Sequence, residues 1–184
     1  DELAVREDLE VAVGMTREEL QQIGMQEWFA SEYSEVTVAM LLRIHDDPGT
    51  IDATAWNTLL ETQDAPTPFM RHEYLAAMHR SQSAIDGTGW APQFLVLERG
   101  SELLGAAALY LKGHSYGEYV FDWAWADAYN RHGLDYYPKL LGAVPFTPVP
   151  GSRLLARDAT SRELLLHGVL QFVREAKLSS AHFL

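Results

Sequence analysis

The chain has 184 residues, 47% hydrophobic and 22% charged, the size and balance of one globular domain or two small ones. Its net charge of -12 argues against loose, sequence-independent nucleic-acid binding. There is no Cys, which excludes disulfides, thiolate zinc sites and cysteine nucleophiles.

No window nears the roughly 20 apolar residues of a membrane span. The acidic opening, DELAVREDLE, lacks the basic leader of a secretion signal. With no Cys, the expectation is a cytoplasmic protein. The charge is uneven. Residues 1–35 hold ten acidic and two basic side chains, whereas Gly105–Arg157 holds five Lys/Arg against four Asp/Glu. A local anion site in that second stretch is compatible with the global acidity.

Residues 1–40 read as an acidic, mostly helical extension. Thr16 and Glu19 have capping-box spacing, and Leu20, Ile23 and Trp28 make a sparse apolar face. Val36–Ile44 predicts a strand, and His45–Gly49 a turn. Ile51–Glu61 predicts a helix with Ile51, Ala55 and Leu59 spaced by four. Arg71–Ser81 predicts a second, with Tyr74, Leu75 and Met78 on one face. Phe94–Glu98 and Leu103–Lys112, joined by Arg99-Gly100-Ser101, predict a hairpin. Tyr116–Asp122 reads as a third antiparallel strand, and Ala126–His132 and Tyr137–Ala143 as short helices. Ser152–Ala156 reads as a strand. Thr160 to Glu163 is a capping box that opens an amphipathic helix through Leu165, Val169, Phe172, Val173 and Ala176, with Lys177 in its last turn. Ser180–Leu184 begins another strand. A sequence stopping there reads as part of a longer chain. The order predicts a mixed, largely antiparallel sheet flanked by helices.

The stretch from Gly105 to Leu155 carries the functional signal. It crowds Tyr, Trp, His, Lys and carboxylates together, as a water-excluding cleft requires. Period two places Tyr110, Lys112 and His114 on one strand face, opposite Leu109 and Leu111. If Tyr116–Asp122 is extended, Glu118 and Asp122 share a face beside Tyr119, Phe121, Trp123 and Trp125. A carboxylate buried there has a raised pKa and can act as a general base. Lys139 and Arg153 suit a phosphate or carboxylate. Pro145, Pro148 and Pro150, around Phe146, make a rigid edge for a substrate chain. Bland readings stand beside these: solvent-facing strands, hydrogen-bonded carboxylates and a structural proline loop. The seven His show no HExxH or other metal spacing, and no GxxxxGK[ST] phosphate loop occurs.

The strings YLKGHSYGEYVFDWAWADAY and YYPKLLGAVPFTPVPGSRLL resemble the FemAB-like family, as do the upstream Trp56-Asn57, Pro68-Phe69, His72–Leu75 and Thr88–Pro92. This bacterial group is associated with peptidoglycan biosynthesis or GNAT-type N-acyl transfer. The resemblance runs from about Leu41 to Leu184. It implies an α/β, GNAT-like domain at 41–184, the first of two in a longer chain. It also implies acyl or aminoacyl transfer to an amine acceptor, a small molecule, peptide or glycan. The implied donor is acyl-CoA or aminoacyl-tRNA.

In a GNAT domain a glycine-rich loop after the fourth strand holds the CoA pyrophosphate at a helix N-terminus. Here that loop is Arg157-Asp158-Ala159-Thr160-Ser161, with no Gly and with an anion that repels phosphate. No cofactor is therefore expected on this stretch alone, and the donor site is expected in the second domain or between the two. The candidate catalytic residues are Asp122, Glu118 and Tyr137. The candidate substrate contacts are Tyr110, Lys112, His114, Tyr119, Trp123, Lys139, Phe146 and Arg153. The competing readings are a non-catalytic half that binds glycan or peptide through its aromatics, and a purely structural half. An apolar edge strand at the end of the sequence predicts self-association.

Overall fold

The computed structural model describes residues 11–12 and 40–184. Its elements are β1 (Val11–Ala12), β2 (Met40–His45), α1 (Ala53–Glu61), α2 (His72–Arg80), β3 (Ala91–Pro92), β4 (Phe94–Arg99) and β5 (Glu102–Ala107). There follow β6 (Leu109–Lys112), α3 (Trp123–Arg131), β7 (Lys139–Gly142), β8 (Leu154–Ala156), α4 (Ala159–Glu175) and β9 (Ala181–Phe183). Val11–Ala12 pairs as a strand, where a helix is expected. The Thr16 capping box and the Leu20, Ile23 and Trp28 face lie outside the described residues.

One sheet runs β1-β2-β4-β5-β8 and is antiparallel throughout. The other runs β3-β6-β7-β9, with β7 and β9 parallel. The two share a single long hairpin. Ala91 pairs Leu111 and Pro92 pairs Tyr110, while Leu95 pairs Ala107 and Leu97 pairs Gly105. The register is the same on both sides of Gln93 and Ala108, where the ribbon passes from one sheet to the other. A bulge between Leu97 and Glu98 interrupts it only near the Gly100-Ser101 tip.

Both faces of the hairpin are buried, so its strands read as continuous apolar runs. Phe94, Val96, Ala106 and Tyr110 pack with Trp56, Leu60, Met70 and Leu75 on the α1–α2 side. Leu95, Leu97, Ala107 and Leu109 pack with Leu165 and Val169 of α4 on the other side. This is the expected mixed, largely antiparallel GNAT-like architecture with helices on both faces.

Local chemistry explains where the elements start. The Asp52 side chain accepts from Ala55 N–H at 2.8 Å and opens α1. Asp158, not the expected Thr160, caps α4, accepting from Ser161 N–H at 2.7 Å. Helix α4 ends at Glu175, so Lys177 falls beyond its last turn, with φ at +53°.

Three further expectations are corrected. Tyr116–Asp122 is a folded loop, not a strand, because Gly117 at φ +81° and Tyr119 at φ +61° turn the chain out of extended geometry. Helix α3 starts at Trp123, three residues before Ala126. Tyr137–Ala143 is not a helix: its Leu140-Leu141 core is strand β7, sandwiched between β6 and β9. A short apolar run suits a buried strand and a buried helix equally by period.

Candidate functional site

Register sets the problem that the site solves. Lys112, last in β6, pairs directly with Lys139, first in β7. Both side chains are almost wholly buried. Two like charges opposite each other in a ladder repel, and each unpaired ammonium out of water costs several kcal/mol, on the order of Born desolvation after relaxation. The loop that follows β6 folds back and supplies the counter-charge. Lys139 Nζ donates to Glu118 Oε2 at 2.7 Å and also to Asp122 Oδ2. Lys112 Nζ donates to the Tyr116 carbonyl at 3.1 Å and sits 3.8 Å from the centre of the Trp90 ring.

The loop is thus pinned at its Tyr116, Glu118 and Asp122 positions from beneath. Ser115 Oγ donates to Asp122 Oδ2 at 3.3 Å and shares a 2.7 Å bond with the Tyr137 hydroxyl. Next to Tyr137, buried Tyr136 reaches towards His182 Nε2 at 3.4 Å, and Ser180 Oγ lies 2.9 Å from the same nitrogen. Burial lowers the pKa of His182, with Lys139 adding to that and Asp122 opposing it.

Titration follows the contacts. Burial raises Asp122, but the Lys139 ammonium and the Tyr136 hydroxyl outweigh it, so its carboxyl lies below the usual range. Burial raises Glu118 and there prevails over Lys139 and Lys112. Burial, opposed by Glu118 and helped by Lys139, pulls Lys112 down to about 8. Burial and the Asp122 carboxyl push the Tyr136 phenol up.

Glu118, Asp122, Lys139, Lys112 and Tyr137 therefore meet in one network. The expected walls of that network do not enclose it. Tyr116, Tyr119, Phe121, Trp123 and Trp125 stand 59–69% exposed, a ring-bearing outer surface over a polar interior. Asp122 is buried beneath these rings, so the enclosing role expected of Phe121, Trp123 and Trp125 is corrected. Tyr110 is a core residue, edge-on to Trp90 and Phe94, and burial raises its pKa. It and Lys112 share the expected face, but that face is interior, not an open cleft wall. His114 lies past the strand, packed against Tyr116, its Nδ1 accepting from Tyr116 N–H at 3.2 Å. Arg153 is buried, donating to the carbonyls of Leu184 at 2.6 Å and of Val149, so it braces backbone, while its Nη1 has no hydrogen-bond partner among the described residues.

Three participants escaped the sequence reading. Ser115 carried a signal: Gly113-His114-Ser115-Tyr116-Gly117 spells G-x-S-x-G. It is not a nucleophile elbow here, because Ser115 is buried and its hydroxyl serves Asp122 and Tyr137. His182 gave none. Trp90 stood only within the Thr88–Pro92 string, yet it is wholly buried at the centre of the site. Among the described residues no group of His, Asp and Glu has the arrangement of a metal site.

A family model described as FemAB-like, peptidoglycan biosynthesis/recognition, matches residues 48–184. This chain belongs to the FemAB-like family. No curated protein and no solved structure matches it. The matched residues include the whole Lys112–Lys139 network and β9, and the match ties the chain to peptidoglycan biosynthesis or recognition. Among the described residues no helix is long and apolar enough to cross a membrane.

Proposed function

We propose that this FemAB-like domain recognises a peptidoglycan acceptor, whose amine receives an acyl or aminoacyl group in the complete protein. One observation carries the reading: five exposed rings, from Tyr116 to Trp125, ride on a loop and helix start that a buried ion network holds rigid. Aromatic faces bind sugar and peptide surfaces, and a pre-ordered loop lowers the entropy cost of doing so.

In this reading Glu118 and Asp122 position the loop. A general base must come within about 2.6–3.2 Å of the proton that it takes. Both carboxylates are buried, and Asp122 is held below the usual carboxylate range, which makes it a weak base. Tyr137, half-buried and bonded to Ser115, is the one candidate catalytic residue of the three that reaches solvent. The α4 N-terminus, where a GNAT domain would hold CoA pyrophosphate, is already capped by Asp158. This supports placing an acyl-CoA or aminoacyl-tRNA donor on a second GNAT-like domain. The same cap favours the alternative, in which the domain binds glycan or peptide and takes no part in chemistry.

Calorimetry with a purified muropeptide tests the reading. Binding is expected, and Trp123→Ala is expected to weaken it about tenfold or more. Absence of binding by the folded chain sinks it. Amine-dependent thiol release from acyl-CoA, or loss of the aminoacyl group from tRNA, by the complete protein separates the two alternatives.

A further inference from the structure

Beneath the ring-bearing surface lie two buried polar atoms that, among the described residues, have no hydrogen-bond partner: Trp90 Nε1 and Glu118 Oε1. Leaving such a group unpaired costs about 1–3 kcal/mol. The two belong to one neighbourhood. A Cβ on Gly117, the residue before Glu118, would stand 3.2 Å from Trp90 Nε1. The Lys112 ammonium lies over the Trp90 ring and interacts with the Glu118 carboxylate.

The Phe146 side chain lies against Trp90 and Gly117 at this spot. The Phe146 ring sits 5.3 Å from Trp90, centre to centre, and would stand 2.7 Å from a Gly117 Cβ. Phe146 is itself 40% exposed and has φ +56°. Tyr119, on the same loop as Gly117, has φ +61°. Bulky residues rarely adopt that conformation, and such strain gathers at ligand clamps. Gly117, at φ +81°, is the one residue type that lets Phe146 and Trp90 approach the backbone so closely.

We propose that Trp90 Nε1 and Glu118 Oε1 form a seat for a secondary amide of the ligand, with Phe146 as its movable cover. The indole N–H donates to the amide oxygen and the Glu118 carboxylate accepts from the amide N–H, so each orphan is satisfied. Phe146 turns aside and packs on the ligand. The inference rests on the reading that the domain binds peptidoglycan fragments. It names the group that is read: an acetamido group of the glycan or a peptide bond of the stem.

The test is an indole ¹H–¹⁵N spectrum of the chain, with the Trp90 signal assigned through the backbone. Three probes are titrated: triacetylchitotriose, its de-N-acetylated counterpart and trialanine. The Trp90 signal is expected to shift with an amide-bearing probe and to stay fixed with the de-N-acetylated sugar. Whether the acetylated sugar or trialanine acts identifies the source of the amide. Trp90→Phe keeps a ring and removes the donor, and is expected to weaken muropeptide binding about tenfold. Phe146→Ala is expected to speed association several-fold, and an unchanged rate overturns the cover.

A Trp90 signal that moves equally with the de-N-acetylated sugar overturns the seat. So does a signal that stays put while muropeptide binds and Trp123→Ala weakens it, and that second outcome leaves the ring surface standing. No binding of any fragment overturns both. The titration of the unsubstituted chain decides the matter even if Trp90→Phe fails to fold.

Discussion

The Lys139 ammonium donates to Glu118 at 2.7 Å although both side chains are out of water. Asp122 completes the set on the same nitrogen. Removing the cation alone strands two buried carboxylates. Lys139→Met is expected to cost about 3–5 kcal/mol, and the triple variant with Glu118→Gln and Asp122→Asn to cost less than that single change. Urea denaturation of the three proteins (the unsubstituted chain, Lys139→Met and the triple variant) measures both, and a milder Lys139→Met than triple variant refutes the account.

Lys112 makes stability depend on alkaline pH. Its folded value is about 8 against 10.5 for a free lysine. Between these values the unfolded chain binds more protons than the folded one, so stability rises with pH there. The separation amounts to about 3 kcal/mol over that window. Denaturation midpoints at pH 7.5 and 10 are expected to differ accordingly, and Lys112→Met to flatten the slope. Asp122 acts at the other end. Its lowered pKa stabilises the fold above the ordinary value of 3.8, and that contribution is lost as pH falls through its folded value.

The rings divide sharply by position. Trp123→Ala and Trp125→Ala, at exposed sites, are expected to change folding stability by no more than about 0.5 kcal/mol. Trp56→Ala is expected to cost about 3–5 kcal/mol, because that ring is wholly buried and its Nε1 donates to the Met70 carbonyl at 2.8 Å. Equal effects in thermal melts at the two kinds of position defeat the inside–outside assignment.

Gly168 lets α4 lie against β2. A Cβ there would stand 2.2 Å from Leu42 Cδ2, 3.1 Å from Cδ1 and 3.2 Å from Cγ, so the buried leucine must shift to admit it. Gly168→Ala is expected to cost about 1–3 kcal/mol. The loss is expected to shrink when combined with Leu42→Ala, in a double-mutant cycle read by chemical denaturation.

Much of this was legible in the sequence, and the reasons differ by element. Phe94–Glu98 and Leu103–Lys112 announce a hairpin because two apolar runs flank a short Gly-containing turn. Helices α1, α2 and α4 declare themselves by spacing. Leu140-Leu141 misleads because two adjacent leucines have no period. The network was half visible. Asp122, Glu118 and Lys139 stand out as charges among aromatics, but nothing local places Lys139 opposite Lys112, since that pairing is a matter of register across 27 residues of chain. Nor does composition reveal orientation. Rings at Tyr119, Phe121 and Trp123 read as cleft walls, and they point outward because the carboxylates between them are drawn in to the lysines.

The hairpin of β3–β4 with β5–β6 serves both sheets without a change of register. The ladder of this hairpin is therefore common to both sheets. Amide protons at Leu97 and Leu109, on opposite sides of the bend, are expected to exchange through one shared opening, which native-state hydrogen exchange measures. Mechanically the ribbon is held along its length: one part lies between α4 and the α1–α2 pair, and its end at Lys112, paired with Lys139 of β7, carries the loop with the rings. A force applied to those rings is borne by the whole interior of the molecule.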